Sequence, residues 1–220
     1  MVSVTADPKA DLAAALAHAA RLLGHNPKLA ADQAAEILRV IPGQPEATLL
    51  LGSAYRAQGR LADAHKVLSA LAQLLPDWPE AHFELAQTQA AATDRQAAIA
   101  SLRKAVALQP MFAEAWRALG EQLGRAGDLQ GSDAAFMGSV DASTHDPDMV
   151  RAANALIANE LAVTERLMRD QLNAHPTDVA AMRMLAEVAS RLGRYGDAEK
   201  LLTRALELAP SFATARFNYA

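Results

Sequence analysis

Two similar sets of charged residues are the strongest candidates for binding chemistry in the sequence. Each set spaces Arg, Glu and Arg four residues apart: Arg117, Glu121 and Arg125 in one, and Arg183, Glu187 and Arg191 in the other. In a helix, this spacing puts the three side chains of a set on one face. A guanidinium group binds a carboxylate through two parallel hydrogen bonds, so such a face could take an acidic or carboxylate-bearing peptide. The alternative is that each Arg pairs with the Glu of its own set, a gain of only about 0.3 to 0.5 kcal/mol, and needs no partner.

The sequence contains no residue pattern that is typical of a catalytic site or a metal site. None of the six histidines forms the i, i+4 pair of a helical zinc site, and no cysteine is present to ligate a metal or act as a nucleophile. His145 lies beside Asp146, and we interpret this segment as a solvated turn in which the aspartate caps a helix. No nucleotide-binding, serine-hydrolase or metalloprotease motif occurs. We therefore predict no catalytic residue, cofactor site or metal site.

The composition favours helices as the elements that position these charges. The 220 residues include 52 alanines and 30 leucines but only 5% aromatic residues. Alanine and leucine lose little conformational freedom in a helix, whereas strands favour β-branched and aromatic residues. We therefore predict an all-α protein.

Charge and hydropathy argue against two classes of partner. The longest run without a charged residue is ten residues, Val67 to Pro76, which is too short to span a bilayer. The net charge of −4 offers no basic surface for phosphates. We expect neither a membrane nor a nucleic acid as partner, and because no signal peptide is recognisable we expect a cytoplasmic location.

Prolines reveal an internal repeat. Pro42, Pro76 and Pro110 are spaced by 34 residues, as are Pro176 and Pro210. This period, with the W-x-x-L-G pattern at Trp116 to Gly120, resembles the tetratricopeptide repeat. The resemblance implies an α-solenoid of antiparallel helix pairs coiled into a right-handed superhelix, forming a single array over residues 1–220. The predicted repeats are approximately 11–44, 45–78, 79–112, 113–144, 145–178 and 179–212, with the start of a seventh at 213–220.

Individual repeat positions carry further expectations. Gly52 is expected to face Ala64 where the two helices of a hairpin approach closely. Gly59, Gly127 and Gly193 follow the first helices, where glycine adopts a left-handed cap easily. The repeat at 145–178 is shortened, so we expect a local change of superhelical twist there. The seventh unit stops at Ala220 within a predicted helix, so we expect a fragment of a longer polypeptide.

In the tetratricopeptide family, residues on the first helix of each repeat line a concave groove. The two charge sets occupy such positions, and so do three residues of earlier repeats: Arg56, Phe83 and Gln87. The resemblance therefore implies a non-catalytic scaffold that binds a protein or peptide ligand, acidic in character, through this groove. Glu121 and Glu187 stand where chaperone-tail clamps carry asparagine, so that type of clamp is not expected.

Several segments are similar to a narrower family, the amino-terminal repeat region of bacterial tetratricopeptide-repeat sulfotransferases. They are Ala142–Pro147, His175–Ala181, Arg183–Glu187, Arg194–Glu199 and Arg216–Ala220. This resemblance implies an alternative function, in which the repeats present an acceptor to a phosphoadenosine-phosphosulfate-dependent domain beyond residue 220. The phosphosulfate-binding loop of that family is not found in this sequence, so no active-site residue is carried over.

Overall fold

The computed structural model describes the backbone of residues 8–212 and the side chains of residues 11–212. In this part of the chain all regular secondary structure is α-helical, which confirms the predicted all-α class. The predicted start of a seventh repeat, 213–220, lies outside the described residues. The twelve helices are α1 (Pro8–Leu23), α2 (Pro27–Val40), α3 (Pro45–Ala57), α4 (Leu61–Leu74), α5 (Pro79–Ala91), α6 (Arg95–Leu108), α7 (Ala113–Arg125), α8 (Leu129–Ser143), α9 (Pro147–Ile157), α10 (Leu161–Ala174), α11 (Val179–Arg191) and α12 (Tyr195–Leu208).

Helix starts follow from local sequence signals. Helices α3, α5 and α9 begin with proline, which has no backbone donor to leave unsatisfied in the first turn. Asp146 caps α9 by accepting hydrogen bonds from the backbone N–H groups of Asp148 and Met149, as predicted for this turn. Asp178 caps α11 in the same way, accepting from the Ala181 N–H at 3.0 Å.

The turn between the two helices of a pair uses a left-handed residue. Gly59, Gly127 and Gly193 have φ angles of 74°, 82° and 72°, which confirms the predicted caps. Thr93 and Asn159 occupy the equivalent turns after α5 and α9, with φ angles of 62° and 60°. A β-branched residue such as Thr93 is strained in this conformation.

The two helices of a pair approach each other closely at Gly52 and at Gly120. A Cβ atom added to Gly52 would overlap the Leu68 side chain, and one added to Gly120 would lie 3.0 Å from the Phe136 ring. Gly52 therefore accommodates a large side chain from the second helix of its own pair. Ala64, which is expected to face Gly52, is fully buried on the same helix, one turn before Leu68.

The chain forms two compact units, one up to Leu108 and one from Gln109. The first unit contains α1 to α6, and its helix pairs pack in chain order: α2 contacts α3, and α4 contacts α5. The first helices also pack consecutively, α1 on α3 and α3 on α5. Leu68, Leu71 and Leu85 form the apolar centre of the contact between its second and third pairs.

The second unit contains α7 to α12, and its first helix pair packs on the third as well as following the chain to the second. Helix α11 buries nine of its thirteen residues, because it has neighbours on two sides. On one side, Met182 and Ala186 pack in a cluster with Phe136 of α8 and with residues of α12. On the other side, Met184 and Val188 pack in a cluster with residues of α9 and α10.

At the shortened repeat, where a change of twist is predicted, the packing order of the helix pairs changes. The third pair of the unit, α11 and α12, lies against α8, while α9 and α10 pack on another face of α11, where Val140 of α8 also contacts their cluster. Helix α9 buries only four residues, two of them alanines. Phe136 instead packs with the bulkier Val179 and Met182 of α11, and it is almost fully buried there.

Candidate functional site

In each charge set, the last arginine pairs with the glutamate of its own helix, α7 or α11. Arg125 lies 3.5 Å from a carboxylate oxygen of Glu121, and Arg191 Nε donates to Glu187 at 2.8 Å. Arg191 also donates through Nη1 to the Leu156 carbonyl of α9 at 3.0 Å. For these two arginines the structure agrees with pairing inside the set, so neither guanidinium requires a ligand.

Arg117 is buried and forms an ion pair inside the protein. Its side chain is 6% exposed, and Nη1 donates to Oδ2 of the 1% exposed Asp178 at 3.2 Å. The same Asp178 oxygen accepts from Gln171 Nε2 at 2.8 Å. Arg117 was expected on an exposed surface, but it lies in the interior because the buried carboxylate that caps α11 needs a counter-charge.

Glu121 also ties α7 to the segment before α11. Its Oε1 accepts a hydrogen bond from Thr177 Oγ1 at 2.7 Å. Nearer the start of α7, Glu114 lies 3.5 Å from His175. Burial is the main cause that lowers the pKa of His175, and the nearby Arg117 acts in the same direction. Through these contacts, the first charge set links α7 to the segment at the start of α11.

The predicted residues of the first unit are partly engaged as well. Arg56 on α3 donates to Oε2 of Glu84 on α5 at 2.8 Å, and Ser53 Oγ donates to the same oxygen at 2.7 Å. Phe83 and Gln87 are half-buried on α5. Arg56 therefore links two consecutive first helices.

Arg183 differs from the other predicted arginines. It is partly buried on α11 and makes no hydrogen bond or ion pair within residues 11–212. Burial lowers its pKa, and only the charge of Glu187, one turn away and already bonded to Arg191, opposes this. A guanidinium in this state is partly desolvated without a bonded acceptor.

Arg183 lines a cavity of about 280 Å³ between α8, α9 and α11. The cavity walls include five residues besides Arg183 that bear on its chemistry: Val140, Ser143, Met149, Asn154 and Met184. None of the described residues that line it is acidic. This cavity is the candidate functional site.

Sequence reasoning missed several residues of these sites. Asp178 was visible as a helix start after Thr177, but the helix-start signal does not reveal an ion pair with a residue 61 positions earlier. Asn154 lies in a run of small residues and carried no signal of its own. Arg117 and Arg183 occupy the same repeat position, and only packing distinguishes them.

Among residues 11–212, no group of three or more His, Asp or Glu side chains is arranged to hold a metal ion. None of the described helices is long and apolar enough to cross a membrane.

Comparisons with known proteins identify the repeat. Residues 45–88, 83–147 and 179–220 match family models described as tetratricopeptide repeat. Among solved structures, TTC0263, a tetratricopeptide protein of Thermus thermophilus, aligns with a TM-score of 0.58 at 17% identity, covering 94% of this chain and 96% of that one. MamA of Desulfovibrio magneticus RS-1 aligns with a TM-score of 0.54 at 18% identity, covering 90% of this chain and 94% of that one.

At these identities the structural likeness shows the fold alone. A comparison with curated proteins gave no match. The family models, however, cover well over half of the sequence and agree with the paired helices described above. The chain belongs to the tetratricopeptide repeat family.

Proposed function

We propose that this chain is a non-catalytic scaffold that binds an acidic segment of a partner protein on the surface formed by α9 and α11. Tetratricopeptide repeats are typical of protein–protein interaction scaffolds. The single observation that supports this surface is the state of Arg183, which carries a positive charge without a bonded acceptor. The expected setting is the cytoplasm.

Arg183 differs in its bonding from the other four predicted arginines. Each of them already has a carboxylate partner: Arg56, Arg117, Arg125 and Arg191. A ligand that bound one of them would share the guanidinium with a carboxylate that already neutralises it. Arg183 has no such competing carboxylate bonded to it, and new bonds to a ligand carboxylate would offset part of its desolvation.

Site-specific photocrosslinking tests the surface. A photoreactive amino acid is placed at Ser190, exposed on α11, and in a matched variant at Thr203, exposed on the second helix α12. In cells that express the full-length protein, Ser190 should yield a crosslink to one discrete protein and Thr203 should not. Equal crosslinking from both positions, or none from Ser190, would overturn the proposal.

The more specific alternative, an acceptor-presenting region of a sulfotransferase, is supported by the sequence resemblance alone. It predicts a phosphosulfate-binding loop, between a strand and a helix, in the coding sequence that follows Ala220. Further repeats at that place would count against it.

A further inference from the structure

We propose that the Arg183 cavity is the subsite for an acidic side chain that stands next to an aliphatic one in an extended segment of the partner. This inference rests on the proposed function and adds the chemistry of the ligand. It depends on the size of the cavity, on two donors that lack acceptors, and on the apolar walls.

The size of the cavity limits the ligand. Its volume of about 280 Å³ lies just below the range of small-molecule pockets, which starts at about 300 Å³. Such a space holds one or two side chains better than a nucleotide or another cofactor. Val150 and Asn154, on the α9 side, are exposed to solvent, so a peptide can continue across the opening.

Two donors from different helices face this space without acceptors. Arg183 comes from α11, and the side-chain amide of Asn154 from α9; neither side chain makes a hydrogen bond within residues 11–212. The hydroxyl of Ser143, by contrast, already donates to the Val140 carbonyl at 2.7 Å. A guanidinium and an amide together suit a group with several lone pairs and a negative charge, which describes a carboxylate.

The walls argue for a monoanion next to an aliphatic group. Val140, Met149 and Met184 give the cavity a mainly apolar surface, and methionine adapts easily to the shape of a bound side chain. A phosphate dianion would be only half neutralised by one guanidinium in such a site, and its burial would be costly. An acidic residue with a leucine or similar residue beside it satisfies both the donors and the walls.

The test is a titration followed by NMR on the full chain. The probe is the peptide acetyl-Ser-Leu-Glu-Leu-Ser-amide, and its control is the same peptide with glutamine in place of glutamate. The glutamate peptide should shift the Arg183 Nε–H and the Asn154 amide signals in a saturable manner, and the glutamine peptide should bind about tenfold more weakly. Equal affinity of the two peptides, or shifts that map elsewhere, would overturn the proposal.

Variants make the result specific to the cavity. Arg183→Gln and Asn154→Ala should each weaken binding of the glutamate peptide, by about tenfold for the arginine. Arg125→Gln, which changes an exposed pair on α7, should bind as the parent does. Because Asn154 is exposed, its replacement should not disturb folding, so unchanged binding by Asn154→Ala would count against the site even if the Arg183 variant proved unstable.

Two further outcomes separate this inference from the proposed function. If only a peptide with a free terminal carboxylate binds, and the amidated glutamate peptide does not, the assignment to an acidic side chain is overturned. If Arg183→Gln still crosslinks to its partner through Ser190, the surface binds a protein but the cavity is not its subsite. Absence of the Ser190 crosslink in the parent protein overturns the proposed function itself.

Discussion

Replacing Arg117 with methionine tests the buried ion pair between α7 and the start of α11. The change removes the counter-charge of Asp178, whose side chain is 1% exposed, and leaves a buried carboxylate with only Gln171 and a backbone N–H as donors. Breaking a buried pair in this way typically costs about 3 to 5 kcal/mol. The two remaining donors soften the loss, so we expect about 3 kcal/mol, a large fraction of the stability of a small domain.

Arg125→Met is the matched control on the same helix. Arg125 is 58% exposed and lies 3.5 Å from Glu121, so its loss should cost less than about 1 kcal/mol. A second control combines Arg117→Met with Asp178→Asn. Asparagine caps a helix as well as aspartate does but carries no charge, so part of the lost stability should return.

Urea unfolding followed by tryptophan fluorescence measures these differences in the second unit alone. The chain has two tryptophans, Trp78 in the first unit and Trp116 in the second, so a Trp78→Phe background leaves one reporter. With slopes of about 1 to 3 kcal/mol per molar urea, Arg117→Met should lower the midpoint by about 1 to 3 M. Equal shifts for Arg117→Met and Arg125→Met would refute the structural role of the buried pair.

Three further features give predictions that unfolding experiments check. Gly52→Ala should destabilise the first unit by about 1 to 3 kcal/mol because the methyl group would overlap Leu68. Gly196→Ala is the control, because its added methyl group meets open space, and it should stabilise by about 0.5 to 1 kcal/mol. If both variants changed the free energy of unfolding in the same direction, the close contact between Gly52 and Leu68 would be contradicted. Thr93→Gly should stabilise the first unit by about 1 kcal/mol through relief of a left-handed backbone, and reduced stability would reject that strain. Glu165→Gln should destabilise by about 1 kcal/mol at pH 7, since hydrogen bonds from two arginines hold the pKa of Glu165 at about 2, below its usual 4.5. Because the pKa of Glu165 is lower in the folded state, its ionised carboxylate stabilises the fold above pH 4.5, and this stabilisation is lost as the pH falls toward 2. The free energies of unfolding of parent and variant should therefore converge near pH 2. A difference that persists at pH 2 would disprove the role of the Glu165 carboxylate.

The sequence predicts the features that depend on local geometry. Proline spacing places the helix pairs, because proline acts on its own residue and on the one before it. Gly59 and Gly193 mark the turns, because only a left-handed residue closes them in this way. Each of these features is decided within a few residues of chain.

Features that depend on distant neighbours were not predictable. Arg117 and Arg183 share a repeat position and the same sequence spacing to a glutamate, yet one is buried against Asp178 and the other lines an open cavity. Gly52 suggested close packing but not its partner, because alanine or leucine of the second helix could equally face it. A repeat pattern therefore indicates where the candidate surface residues are, and three-dimensional packing decides which of them a ligand can use.

The packing of α8 against α11 has a consequence for how the second unit folds. Phe136 meets its partners on α11 more than 40 residues later in the chain, with a complete helix pair intervening. During synthesis, α8 leaves the ribosome well before α11. Until α11 is made, the Phe136 side chain is therefore exposed to water or packed against a non-native neighbour. The first unit has no such delay, since each pair meets the next as it emerges. Closing the longer loop adds an entropic barrier, and the second unit should therefore be the slower of the two to reach its native state.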